Sequence, residues 1–582
     1  MFPAGAALAF LAAAAPAHAG CSGAAVPIHA LAASGPRAVR VRGVVTAIVP
    51  GLGGFFIEAP RAQWDADETT PEGVFVYTGR HGRKVERGEA VVLSGRYRRF
   101  HGMPELDRTG TPAACGRAPV PPAVAVHRPP SRPDGWAALL GMRVRLAGPV
   151  TVNDLHDFGR YGEVRVGTGG RRYAPTALTV PGPGALALAR SVAMHGLWLD
   201  DLSSHAHPAV LELAGHRFDA RHPLRAGQRL RAVTGIAYHA FGRDLLEARA
   251  AVLEPGANPR RPVAALELPP GLRIVAFNVE NDFNRALRGP PFPTERGART
   301  AAEFHCQTAK LVAALTALRP AVAALQEIEN DGYGKDSAVA VLVRALNAAV
   351  PTAHYRYVDP GRPRLGDDLI APALAYDAKR LRRVGRVAVL AAPGGAPRAW
   401  REGMPRPVIA ASFRVRATGR VLTVASVHLR SKLSSCGPGL DSRGGAGHCA
   451  GARTVAARRI VRWLRGDPTG VHTPAVAVAG DFNAYPREGA IRVLTDGGWR
   501  RLPPAPATAV NVTENARGGA GELDYVFASP GLARHVRASG IWHIDADEAP
   551  AFGYAGRPAC TGPAAPFRAS DHDPVVAVAG GW

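Results

Sequence analysis

A short apolar run, Val476 to Ala479, stops abruptly at Gly480-Asp481-Phe482-Asn483, so an acid and an amide stand directly at its end. Near the C-terminus, Ser570-Asp571-His572-Asp573-Pro574 abuts a second apolar run, Val575 to Val578. Uninterrupted apolar runs of this length read as buried strands. A buried strand that ends in polar side chains delivers them to a cleft, so the fold has to bury strands and open their ends.

At 582 residues the chain exceeds a single core, and domains of about 100 to 250 residues predict two to four of them. From 36 to 107 short Val-rich strands alternate with Gly turns: Ala38 to Val45, Gly51 to Ile57 and Ala90 to Gly95. That pattern predicts an all-β unit. Gly141 to Gly148 resembles its opening strand, and Leu230 to Gly235 followed by Phe241-Gly242-Arg243 echoes Val91 to Gly95 followed by Phe100-His101-Gly102. We expect a duplicated small barrel, 20–118 and 119–255. Such modules resemble the OB-fold, whose open face holds single strands or oligosaccharides; spacers that merely position another domain are the alternative. A Pro-rich stretch, 256–271, reads as a linker. Beyond it, 272–582 is expected to be a mixed α/β domain, with strands at Ile274 to Phe277, Ala321 to Leu325, Ala371 to Tyr376, Val408 to Phe413, Leu422 to Val427 and Ala475 to Ala479. Helices are expected at Thr300 to Leu318, Ser337 to Ala349 and Ala452 to Leu464.

Residues 1–19 end in Ala17-His18-Ala19 after an Ala/Leu/Phe-rich segment and read as a cleaved secretory leader. Export predicts a secreted or periplasmic protein, and no later apolar run approaches the roughly 18 residues that span a bilayer. Six cysteines in an oxidising compartment predict disulfides. Cys436 and Cys449 bracket a Gly/Ser-rich loop whose closure is worth about 3 kcal/mol. The others are assigned Cys21–Cys115 and Cys306–Cys560 by elimination, a pairing that sequence alone does not fix. No CxxC is present, which argues against a zinc site. The net charge of +24 and pI near 10.7 suit a polyanionic partner. Of the 71 basic residues only five are lysine, so compositional drift explains the charge equally well.

Polar residues recur at or beyond the expected strand ends: Asn278, Glu327, His428, Asp481, Asn483, Asp524, Asp571 and His572. Taken singly, a strand-end Asn is a turn former and a lone His a structural residue. Together with their surroundings, Phe277-Asn278-Val279-Glu280-Asn281, Leu325-Gln326-Glu327-Ile328-Glu329-Asn330, Ser426-Val427-His428-Leu429-Arg430, Gly480-Asp481-Phe482-Asn483, Leu523-Asp524-Tyr525 and Ser570-Asp571-His572-Asp573-Pro574 resemble the endonuclease/exonuclease/phosphatase superfamily. The chain looks like its large secreted bacterial nucleases.

The resemblance implies an α+β fold, a four-layer α/β/β/α sandwich preceded by the two OB-like barrels. It implies hydrolysis of phosphodiester bonds with Mg²⁺ or Mn²⁺, with Ca²⁺ as a further candidate. Asn278, Glu327 and Asp571 are the expected hard oxygen ligands. Asp524 would orient His572 as the general base toward water. His428 is expected to bind the scissile phosphate or protonate the leaving oxygen, and Asp481 and Asn483 to position nucleophile and phosphate. Arg406 matches an arginine that contacts substrate phosphate, and Tyr376 is expected either to contact phosphate or to pack. The Cys436/Cys449 loop also fits such nucleases. DNA is the expected substrate, with RNA as an alternative; no obligate protein partner is inferred. A phosphodiesterase or phosphatase acting on phospholipid headgroups or sugar phosphates, and a non-catalytic polyanion binder, are the competing functions. One departure stands out: the segment before Leu523-Asp524-Tyr525, residues 511–522, is polar and Gly-rich where relatives are aromatic.

Overall fold

The computed structural model describes residues 19–581 except 80–83, 128–132, 195, 202–205, 287–288, 443, 505–509, 517, 556–559 and 561–564. All of the expected leader but Ala19 lies outside the described residues. The chain forms two compact units. One comprises Met1–Gly148, Leu197–Ala206 and Ala232–Ala251, the other Pro149–Gly196, His207–Arg231 and Val252–Trp582. The segment expected as a second barrel therefore contributes to both.

In the first unit, strands Ala38–Val49, Gly54–Glu58, Gly73–Tyr77, Met103–Asp107 and Glu89–Phe100 pair in that order, and the last returns to pair with the first. The five strands close into a small barrel, the first of the two expected. Closure removes free strand edges, and the interior is filled by Val41, Val45, Ile57, Val74, Leu93 and Leu106.

The second unit carries two six-stranded sheets. We number their strands β1 (Leu272–Asp282), β2 (Val322–Glu329), β3 (Tyr355–Tyr357), β4 (Ile370–Asp377), β5 (Leu381–Leu390), β6 (Val408–Val415), β7 (Val421–His428), β8 (Val476–Asp481), β9 (Arg500–Leu502), β10 (Asp524–Ala528), β11 (Val536–Ile541) and β12 (Val575–Ala579). The sheet orders are β3-β4-β2-β1-β12-β11 and β5-β6-β7-β8-β10-β9. Helices α1 (Ala301–Leu318), α2 (Ala338–Ala349), α3 (Ala450–Arg465) and α4 (Gly489–Asp496) complete the core elements.

Why the strands read as continuous apolar runs follows from this packing. Ile274 and Ala276 of β1, Val424 of β7, and Ala477 and Ala479 of β8 share one core with residues of both sheets. Their neighbours point the other way: Val275 and Phe277 pack with Leu311 and Leu315 of α1 and Leu342 of α2, and Val478 packs with Ile460 of α3 and Ile491 of α4. Strands covered on both faces lose the apolar/polar alternation of a half-exposed sheet. Thr300 starts α1 by accepting a hydrogen bond from Glu303 N at 3.2 Å.

All six cysteines are paired, as Cys21–Cys115, Cys306–Cys560 and Cys436–Cys449. No helix among the described residues is long and apolar enough to cross a membrane.

Candidate active site

β1 and β2 run parallel with Asn278 opposite Gln326, and their register slips between Asn278 and Asp282. The slip accompanies left-handed backbone at Glu280, Asn281 and Glu327, and it turns the Glu327 side chain out of the strand alternation. In the other sheet β7 and β8 run parallel with His428 opposite Asp481, and antiparallel β10 sets Asp524 opposite Asp481. Gly480 makes this register possible. Its φ is 141°, and a Cβ there would sit 2.0 Å from the Val427 carbonyl oxygen, so only glycine lets the two strands approach. The residues between β11 and β12 return Asp571 and His572 to the same strand ends.

Hydrogen bonds tie these groups together across the two sheets. Asn278 Nδ2 donates to Glu327 Oε1 at 3.1 Å and to Asp481 Oδ2 at 3.3 Å. Asn281 N donates to Glu327 Oε2 at 3.1 Å. Asp481 accepts from Asn483 N at 2.7 Å and from Asn483 Nδ2 at 3.0 Å. His572 Nδ1 lies 2.7 Å from Asp524 Oδ2, which leaves Nε2 for other partners; Asp571 Oδ1 is 4.0 Å from it. Arg406 Nη1 donates to His428 Nε2 at 2.6 Å, while Arg406 Nε lies 3.3 Å from Asp368 Oδ2.

Burial sets the electrostatics of the cluster. Burial and the neighbouring Asp524 push Asp481 up to about 7. Burial, followed by Asp571, raises Glu327, and burial pushes Glu280 up to about 8 against the pull of Arg568. Burial, with Arg406 beside it, holds His428 well below 6.5. His572 goes the other way: burial disfavours its charged form, but Asp524 above all, with Asp571 and Asp481, lifts it well above 6.5. The two imidazoles are thus held in opposite states, His428 as a neutral acceptor and His572 as a cation paired to Asp524.

Of the residues expected from sequence, Asn278, Glu327, Arg406, His428, Asp481, Asn483, Asp524, Asp571 and His572 come together here. The geometry narrows three of the expected roles. Tyr376 pairs with Val322 in the β2–β4 register, at the end of the strand away from Glu327, and its ring packs 5.0 Å from that of Phe413. It packs at the far end of the sheets and does not reach the cluster, because β4 runs antiparallel to β2. His428, neutral and accepting at Nε2 from Arg406, has no proton there to give a leaving oxygen; in this arrangement it orients Arg406. Asn278 likewise presents its amide nitrogen to the carboxylates, so here it braces Glu327 and Asp481.

Several members escaped sequence reasoning. Thr513 Oγ1 accepts from Leu523 N and Asp524 N at 2.9 and 3.1 Å and so fixes Asp524; in sequence it lies unmarked in the polar, Gly-rich segment 511–522. Ser570 Oγ donates to the Asn278 carbonyl at 2.7 Å and accepts from His572 N at 3.1 Å. Glu280 was visible two residues after Asn278. Asp368, the partner of Arg406, carries no local signal.

A divalent cation fits this donor set. Ligand atoms of Asp481, Asp524 and His572 lie within 4.8 Å of one another, although Asp524 and His572 already bind each other and Asp481 is held by Asn483. Asp571 is the freest acid: it is half exposed, meets Ser570 Oγ at 3.4 Å and lies 4.0 Å from His572 Nε2, with Glu327 close enough to repel it. Their mutual repulsion, together with Glu280, is what a hard cation would relieve.

The sequence model of the endonuclease/exonuclease/phosphatase family matches residues 275–572, just over half of the chain, and the chain belongs to that family. Similar solved structures include an endonuclease/exonuclease/phosphatase from Bacteroides vulgatus, 16% identical over 53% of this chain and 98% of that one, with a TM-score of 0.33. A mannosyl-6-phosphatase from Bacteroides thetaiotaomicron is 15% identical, over 53% and 98%, with a TM-score of 0.35. TDP2 from D. rerio complexed with a single-strand DNA product is 12% identical, over 53% and 97%, with a TM-score of 0.31. No curated protein matches the chain.

Proposed function

We propose that this chain is a divalent-cation-dependent phosphodiesterase that hydrolyses nucleic acid, DNA first and RNA as an alternative, outside the cytoplasm of the cell that makes it. The observation that carries the proposal is the meeting of Glu327, Asp481, His428 and the Asp524–His572 pair at the ends of strands from both sheets. We read those sheets, with α1 and α2 on one outer face and α3 and α4 on the other, as a four-layer α/β/β/α sandwich. Pairing of all six cysteines supports export to an oxidising compartment.

The side chains divide the work. Glu327 and Asp571 would hold the cation, with Asn278 bracing Glu327. A bound cation supplies charge stabilisation at a phosphoryl oxygen. Asp524 fixes His572 through Nδ1 and so presents Nε2 to an attacking water, whose proton it takes once the ring is neutral. Asp481, held by Asn278 and Asn483, orients that water and the phosphate for in-line attack. The remaining N–H groups of Arg406, whose Nη1 and Nε are turned to His428 and Asp368, suit the phosphate oxygens.

The test is cleavage of plasmid and single-stranded DNA by the purified chain with Mg²⁺. The proposal requires that EDTA and His572→Ala each abolish it. Release of phosphocholine or inorganic phosphate without cleavage of DNA would replace nucleic acid by the alternative substrates, and DNA retention without turnover would make the chain a binder.

A further inference from the structure

The second unit has a second chemically distinctive place, far from the strand ends just described. Between the edge strands β3 and β5 lies a cleft of about 410 Å³. Its floor is Tyr376 and Leu381, and its walls are His354, Arg356, Lys379, Arg382, Arg383 and Arg416. The register places it at the opposite end of both sheets: Tyr376 faces Val322, and Arg414 faces Val421 at the start of β7. Five residues along β2 separate Val322 from Glu327, about 17 Å at about 3.3 Å each.

Among the described residues no carboxylate lines this cleft. Arg356 Nε meets His354 Nε2 at 3.3 Å, Arg416 Nε meets the Ala378 carbonyl at 2.9 Å, and Lys379 Nζ meets the Thr352 carbonyl at 2.8 Å. Arg383 Nη1 meets the Gly385 carbonyl at 3.3 Å. Among the described residues no carboxylate forms an ion pair with Arg356, Lys379, Arg382, Arg383 or Arg416, although Asp377 stands nearby, spending its Oδ1 on the His354 and Lys379 amides. Two other cations of this unit are matched to acids instead: Lys432 to Glu488 and Arg260 to Glu548, each at 2.6 to 2.7 Å. A concave surface that gathers five unneutralised cations repels itself and attracts an anion. The cations come from three stretches of chain, Arg356, Lys379 to Arg383 and Arg416, so a polymer that carries a row of phosphates can meet several of them at once.

We propose that this cleft is a second nucleic-acid contact site, which holds phosphates of the substrate remote from the bond being cut. The proposal rests on the nuclease reading above and extends it: the enzyme grips long nucleic acid at two ends of the sandwich, and short substrates engage only the His572 end.

The test combines Arg356→Ala, Arg382→Ala, Arg383→Ala and Arg416→Ala in one chain, all at exposed positions, with the four Arg→Lys replacements as the charge-retaining control. Binding of a long duplex is measured by fluorescence anisotropy against salt, in the His572→Ala background so that nothing is cut. Loss of four phosphate contacts should flatten the plot of log affinity against log salt by about 3.6 and weaken binding more than about tenfold near physiological salt. The lysine control should keep the slope. In the His572 chain, hydrolysis of a small chromogenic phosphodiester should be unchanged by the four alanines, which shows the fold and the catalytic end intact. Equal DNA affinity and slope in the alanine and parent chains would overturn the proposal while leaving the nuclease reading in place. DNA binding that depends on the cleft, in a chain that cuts no DNA, would remove the nuclease reading and keep the site. Loss of affinity for a heparin-like polysaccharide but not for DNA would reassign the cleft to another polymer and overturn the proposal as stated.

Discussion

Replacing Asp524 by Asn tests the assignment of His572 most sharply, because it changes one charge and little volume. Asp524 is fully buried, and its Oδ2 lies 2.7 Å from His572 Nδ1. At that distance the gross attraction is about 6 kcal/mol for an effective dielectric of about 20, and the burial of His572 offsets part of it. Asp571 and Asp481 also favour the imidazolium and remain in the variant. We therefore expect the folded-state value of His572 to fall, though Asp571 and Asp481 keep it from falling as far as burial alone would take it. The sign follows from the base role. In the proposed role neutral His572 activates water, so activity should rise with pH through a value above 6.5 in the parent chain. In Asp524→Asn that acid limb moves to lower pH, while the maximal rate drops about 10²- to 10⁴-fold as the ring loses its orientation. The assay is a pH–rate profile of DNA cleavage at saturating Mg²⁺. Stability gives a second readout. The parent pair stabilises the fold fully below about 6.5 and loses that contribution as pH rises through the raised value, a dependence the variant should lack. An acid limb that stays in place, or that moves upward, would refute the assignment of His572 as the base.

Gly480→Ala should destabilise the second unit by more than about 3 kcal/mol, since its Cβ would meet the Val427 carbonyl oxygen at 2.0 Å; thermal melts would show it, and an unchanged Tm would contradict the strand approach described. The double variant Cys436→Ser/Cys449→Ser should lose about 3 kcal/mol, as expected for a short loop, with its Tm lowered equally in parent and His572→Ala chains. Arg406→Lys keeps a charge but loses the planar fork that meets both His428 and Asp368; we expect a raised KM for DNA and a lowered kcat, and parent kinetics would remove Arg406 from the site.

Much of the second unit was legible because its strands are covered on both faces. Val476 to Ala479 and Val575 to Val578 stand out as apolar runs for that reason, and the polar residues that end them stand out in turn. The helix expected at Thr300 to Leu318 and the observed α1, Ala301–Leu318, differ only by the capping residue. Edge strand β5 was not legible: its arginines face solvent, so the run lacks both the apolar continuity of a core strand and clean alternation. Tyr376 shows what periodicity leaves open. A strand end can be recognised in sequence, but which end of a sheet it occupies depends on whether its neighbour runs parallel or antiparallel. Thr513 and Asp368 act through contacts made across the fold, to Asp524 and Arg406, that no local pattern announces. The neutral state of His428 is equally non-local, because it follows from burial and from Arg406, 22 residues away in sequence.

In the proposed function Glu327 and its neighbours hold a divalent cation that the hydrolysis needs. Mn²⁺ titrated into the parent chain and into Glu327→Gln, with bound ion read by electron paramagnetic resonance and DNA cleavage read in the same samples, tests this directly. We expect cleavage to follow bound Mn²⁺ in the parent, and both to be lost in Glu327→Gln while its circular dichroism stays that of the parent. Cleavage that persists without bound ion, or a Glu327→Gln chain that binds Mn²⁺ and cuts DNA as the parent does, would contradict it.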